Sequence, residues 1–201
     1  EASPGNLLRV DNTRKTHAFY WAFHELGAEL LSKESNWFLA GVLRSKIASQ
    51  VKGGLSGVFK AMMQLWFCGE DVNFHRTGVS VATQNGTCLL WAKLKCIMAD
   101  EVALKHLWGC KGAAGVKPCM PSANVVAGRT GLSEQGARDI VPTDCMDTVK
   151  LIYHAGATLW AAVEILWGAR GTYTKGAFHE LEVVLGVSYN PDGVLLAASL
   201  R

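Results

Sequence analysis

Val79–Asp100 reads VSVATQNGTCLLWAKLKCIMAD, and its punctuation decides what kind of fold the chain adopts. Val79-Ser80-Val81-Ala82-Thr83 alternates large apolar with small or polar residues, the period-two signature of a half-buried strand. Gln84-Asn85-Gly86-Thr87 follows, and Asn-Gly between alternating runs is a strong short-range signal for a hairpin turn. Cys88 to Met98 then reads as a long second strand. At Ala99-Asp100 the strand ends and a helix begins, with Glu101 in the first turn where the helix dipole favours a carboxylate. A small sheet around a 79–98 hairpin is therefore expected inside a helix-rich domain, of α/β or α+β class.

Upstream, the apolar residues recur at helical steps. Phe19, Phe23, Leu26, Leu30 and Leu31 predict a helix from Thr16. A second helix is predicted from Trp37 to about Ser49, capped by Ser35 or Asn36, with Phe38, Val42 and Ile47 on one side. Gly53-Gly54 breaks it. Ser56 caps a third, in which Val58, Phe59, Met62, Met63, Leu65 and Trp66 nearly surround the axis, so this helix is expected to be buried. Gly69-Glu70-Asp71 starts a loop.

Downstream, 116–142 is rich in Gly, Pro, Ser and Asn and reads as loop, with one short helix near Ser133–Arg138. Ala157–Trp167 carries Leu159, Val163, Leu166 and Trp167 on one helical face. Lys175–Leu185 is a helix capped by Thr174 and stopped by Gly186. Asn190-Pro191-Asp192-Gly193 is a turn, and Val194–Leu200 suits either strand or helix. The organisation expected is an extended arm over 1–15 and one mixed domain over 16–201: helical 16–68, hairpin and loop core 69–142, helical 143–201.

Composition narrows the function classes. The chain has 201 residues, 49% apolar and 18% charged, and the charged share falls below the usual quarter. With seven Trp, this suggests more buried or partner-covered surface than a free monomer needs. A net charge of +3 is too mild to establish nucleic-acid binding, and the longest basic run is Arg14-Lys15. The six cysteines (Cys68, Cys88, Cys96, Cys110, Cys119 and Cys145) lack a tight framework, so free buried thiols are expected over a disulfide scaffold. The start at Glu1, with no apolar leader, suggests a processed form or a fragment. The most apolar windows, Leu55–Cys68 and Ala155–Trp167, are interrupted by Lys60 and Glu164 and are too short to span a bilayer.

The chemistry-bearing residues lie in Ala99–Val126. His106 and Cys110 stand one helical turn apart, and Cys119 would approach across the loop Lys111-Gly112-Ala113-Ala114-Gly115. Three such ligands suit Zn²⁺, but the position completing a C-x-x-C pair is Ser122, a poor ligand, and Cys145 would have to come from elsewhere. Core thiols and surface imidazoles are the favoured reading of these residues. Backbone N–H groups of the glycine loop, with Lys111 and Lys117, would suit an anion, yet the spacing is neither a Walker loop nor a dinucleotide fingerprint, and a tight turn is favoured. Asp100 stands where polynucleotidyl transferases hold Mg²⁺, with Glu70, Asp71 and Glu101 nearby in sequence. A helix N-cap explains it without any metal and is favoured. Cys119 sits near Lys117, a cation that favours a thiolate nucleophile, but no general base can be located.

Asp100, Ala103-Leu104-Lys105, Gly109, Lys111-Gly112, Gly115 and Cys119 together resemble a segment of eukaryotic DDE transposases of the CACTA and KDZ type. In those, the second catalytic Asp is followed by a helix, a K-G-x-x-G loop and a C-x-x-C zinc-knuckle pair. Over about residues 10–200 the chain is more closely similar to transposable-element-derived open reading frames abundant in dinoflagellate genomes. The shared residues include Asn73-Phe74, Ala92-Lys93-Leu94, Lys111-Gly112-Ala113, Lys117-Pro118-Cys119 and Asn124-Val125.

The resemblance implies an RNase H-like core, the hairpin in its sheet, Asp100 as the middle acidic residue, DNA as ancestral partner and Mg²⁺ as ancestral metal. Ser122 makes the knuckle degenerate, the first Asp has no clear place, and the third acidic residue would lie beyond Arg201. The expectation is a transposase-derived domain that is catalytically inactive, holds no cofactor and is nuclear. The alternative is a non-enzymatic structural or linker subunit of a larger assembly, organellar and bound to other protein subunits. A third reading is a small thiol enzyme using Cys119.

Overall fold

A computed structural model describes residues 15–112, 115–117, 119, 122, 124–126, 148–153, 156–197 and 199. Helices and small antiparallel sheets are mixed along the chain. Strands β1 (Thr16–Trp21) and β2 (Phe38–Arg44) form one two-stranded sheet, and β3 (Val79–Thr83) and β4 (Gly86–Leu90) form another. Helices α1 (Gly27–Leu31) and α2 (Ser45–Ala48) are short. Four longer ones follow: α3 (Gly54–Phe67), α4 (Glu101–Trp108), α5 (Gly156–Ala169) and α6 (Lys175–Leu185).

The first two predicted helices are replaced by the β1–β2 sheet, with only α1 and α2 as helical turns beside it. Local chemistry explains the correction. His17-Ala18-Phe19-Tyr20-Trp21 is aromatic-rich, the composition that fits a pleated surface. Gly41, in the middle of the second expected helix, would cost about 1 kcal/mol against alanine there. Across the two strands Ala18 faces Val42 and Tyr20 faces Leu39, with a bulge at Ala40 between them. Trp21 stacks on Phe38 at 4.7 Å, and Phe23 meets Trp21 edge-on at 5.1 Å.

The second hairpin is present, with its turn one residue earlier than expected: Thr83 pairs with Gly86 across Gln84-Asn85, so Gly86 opens β4, and Val79 pairs with Leu90. β4 nevertheless stops at Leu90 rather than Met98. A strand extends only as far as its partner's ladder, and β3 begins at Val79. Residue 78 is a glycine whose Cα faces the Trp91 indole so closely that a Cβ would lie 2.9 Å from the ring. Residues 91–100 therefore run without a ladder.

The core forms where α3 meets α4. Phe59 and Met63 of α3 bury against Leu107 of α4 and Val194, with Met62, Trp66, Phe67, Ile97, Trp108 and Leu195 packed around them. The burial is one-sided, because Leu65 is 62% exposed. α3 is thus buried against α4 and the C-terminal segment, as its apolar sequence predicts. Ser56 lies inside α3 instead of capping it; the cap position is Gly53, with φ of 80°. The buried Ser56 Oγ accepts a hydrogen bond from the Val194 N–H at 2.9 Å, and Asn190 Nδ2 donates to the Gly53 carbonyl at 3.0 Å.

These bonds fasten the turn Asn190-Pro191-Asp192-Gly193 to the start of α3. The following 3-10 turn, Val194–Leu196, packs on α3, α4 and α5 together. In α5, Val163 and Leu166 are buried, Leu166 completely. α6 has the predicted bounds: Thr174 Oγ1 accepts from the Ala177 N–H, and Gly186 closes the helix with φ of 74°. Among the described residues no helix is long and apolar enough to cross a membrane. The helix expected near Ser133–Arg138 lies outside the described residues.

Candidate functional site

Asp100 caps α4. Its Oδ1 accepts the Ala103 N–H at 2.6 Å, which satisfies one of the donors a helix start leaves orphaned. Gly109, in the left-handed region with φ of 67°, ends the helix one turn past His106, which is exposed. Gly109 also hands the chain to the C-terminal segment: its carbonyl accepts the Ser188 N–H at 2.6 Å, and Cys110 bridges Val187.

The glycine loop is stitched to α6. The Lys111 N–H donates to the Gly186 carbonyl and the Val116 N–H to the Val183 carbonyl, at 2.9 and 3.1 Å. Lys111 Nζ lies 2.9 Å from Glu182 Oε2, with both side chains about 15% exposed. Glu182 Oε1 accepts the Tyr189 N–H at 2.6 Å, and His179 Nδ1 stands 3.5 Å from Oε2. Burial pushes the Glu182 carboxyl up. Hydrogen bonds from Lys111, the Tyr189 N–H and His179, with the Lys111 charge, outweigh it and hold the group below its ordinary value.

With both oxygens engaged, Glu182 is a joint rather than a free base, and Lys111 spends its charge inside the fold. The Tyr189 ring extends the joint to α5. Trp167 and Phe178 flank it at 6.0 and 5.9 Å, and Arg170 stacks over it while donating to its hydroxyl at 3.0 Å.

His106, Cys110 and Cys119 were the proposed zinc ligands. Among the described residues no group of three or more His, Cys, Asp or Glu side chains is placed to hold a metal ion. Burial pushes the Cys110 thiol up, away from the thiolate a metal needs. Ser122, in the place of the missing cysteine, is buried in a bridge with Tyr153. The described thiols are free, but Cys68, Cys88 and Cys96 are exposed and Cys110 and Cys119 half-buried, which corrects the expectation of buried thiols. Cys145 lies outside the described residues.

Two buried asparagines hold the backbone. Asn73 is buried; its Oδ1 accepts the His75 and Arg76 N–H groups and its Nδ2 donates to the Gly69 carbonyl. Asn124, also buried, accepts the Ile152 N–H and donates to the Lys150 carbonyl. From sequence alone Glu182 has no role, Ser56 reads as a helix cap and Asn190 as part of a turn, and none of their distant partners is visible. Each acts across a long chain separation, and no local spacing signals such partners. A narrow cleft between α4, α5 and the C-terminal segment, lined by Trp108, Leu166 and Tyr189 among others, has room for about one water. The chain matches no family model, no curated protein and no solved structure.

Proposed function

We propose that this chain is a non-catalytic subunit of a larger protein assembly, with α5 as a principal contact. The carrying observation is the surface of that helix. Its fourteen residues, GATLWAAVEILWGA, include Glu164 as their one charged residue, and a helix apolar all round belongs in an interior. Val163, Leu166 and Ala169 face the core, yet Ile165 is 51% and Trp167 54% exposed. The chemistry-bearing residues support the same reading, since Asp100, Lys111 and Glu182 are each engaged in fastening the backbone.

The test is the size of the chain in gently prepared native extract. It is expected to migrate well above a dimer, and Ile165→Glu, on the outer side of α5, is expected to release it without loss of helix signal. Migration of the unaltered chain at monomer or dimer size overturns the proposal.

A second reading keeps the ancestry: a transposase-derived domain, RNase H-like in origin, that has lost its reaction and retains affinity for DNA. The order of hairpin, Asp100 and α4 favours it. Under this reading duplex DNA is retarded, with affinity falling steeply as salt rises. The assembly reading expects no retardation.

A further inference from the structure

Resting on the assembly reading, we infer that the β1–β2 sheet is a docking surface for a second copy of this chain. Directly paired residues share a sheet face. Ala18 with Val42 and Tyr20 with Leu39 therefore lie on one face, and the bulge at Ala40 brings Leu39 onto the side of Val42. All four are exposed, with Tyr20 at 57%, Leu39 at 56% and Val42 at 59%. An isolated two-stranded sheet is marginal in water and needs a layer on its apolar face. Among the described residues this sheet packs on the rest of the chain chiefly through α2, and its Tyr20–Leu39–Val42 face stays exposed.

Charge identifies the occupant. At the end of the sheet where β1 begins and β2 stops, Lys15, Arg44 and Lys46 are exposed. At the opposite end, in the connection between the strands, Glu25, Glu29 and Glu34 are exposed, with Lys33 among them. A surface that is basic at one end, apolar in the middle and acidic at the other is complementary to itself under a two-fold rotation. Two copies packed face to face and antiparallel set each basic end against the other's acidic end, and every favourable pairing occurs twice. The apolar residues then form the centre of the interface and the charges its rim.

Sedimentation of the purified full chain over a range of concentrations tests this. The unaltered chain is expected to show a monomer–dimer equilibrium, and Val42→Glu to weaken the dimer at least about tenfold. Reversing the acidic end alone (Glu25→Lys, Glu29→Lys, Glu34→Lys) is expected to weaken it similarly. Adding Lys15→Glu, Arg44→Glu and Lys46→Glu in the same chain is expected to restore it, as only a self-complementary pair requires. Circular dichroism and the unfolding midpoint check that each variant folds. A chain that is monomeric throughout, or a dimer indifferent to Val42→Glu, or a doubly reversed chain that folds and stays monomeric, overturns the inference. If Ile165→Glu still releases the chain from its native assembly in that case, the inference fails while the proposed function stands.

Discussion

The joint between α3 and residues 186–197 and the β1–β2 sheet are built from similarly apolar sequence, yet they end in opposite states. In the first, Ser56, Phe59, Met63, Leu166, Val187 and Val194 are all buried, and the polar atoms among them are paired. In the second, Tyr20, Leu39 and Val42 stand in solvent. The difference lies in what the rest of the chain supplies. The 3-10 turn at Val194–Leu196 brings three helices together, whereas among the described residues the sheet packs chiefly on the short α2. One region completes itself; the other leaves an apolar face in solvent.

Substitutions can break or sharpen this contrast. Leu166→Ala, at the fully buried centre of α5, is expected to cost about 2–5 kcal/mol in urea denaturation; a loss below about 1 kcal/mol would remove α5 from the core. Glu182→Gln is expected to cost about 1.5–3 kcal/mol, as a hydrogen-bonded charge joining loop and helix is lost. Because the folded carboxyl titrates below its ordinary value of 4.5, its contribution is complete above that value. It fades as pH falls through the lower folded value. The stability difference between parent and Glu182→Gln should therefore shrink in acid, and a difference that grows would contradict the pairing.

Asp100→Ala is expected to cost about 1 kcal/mol, the worth of a cap, with the same loss whether or not Mg²⁺ is added. A parent stabilised by Mg²⁺ and a mutant indifferent to it would reinstate a metal role. The smallest effect belongs to the open face. Tyr20→Ser and Val42→Ser, measured at concentrations where the chain is monomeric, should shift stability by no more than about 0.5 kcal/mol, and a larger loss would mean that the sheet is backed after all.

What was legible in the sequence follows the same division between local and distant causes. The caps Asp100 and Thr174 and the stop at Gly186 act within four residues, and each is found where its residue type predicts, while the hairpin turn at Gln84-Asn85 lies one residue from its Asn-Gly signal. The first two helices were misread because Phe19, Phe23 and Leu26 satisfy a helical period, while the pairing that overrides it lies more than twenty residues away, as in Ala18 with Val42. The Lys111–Glu182 joint spans 71 residues and was invisible for the same reason. From sequence alone its lysine reads as a cation beside a glycine loop, suited to an anion rather than to a distant carboxylate.

The bond from Val194 to Ser56 crosses 138 residues. At a synthesis rate of roughly 5–20 residues per second, α3 emerges from the ribosome roughly 7–30 s before the turn that seals it. Throughout that interval Phe59 and Met63 lack their Val194 neighbour. The nascent chain therefore offers a sticky helix to holdases for many seconds, and its yield in cells should depend on chaperone supply more than its finished stability suggests.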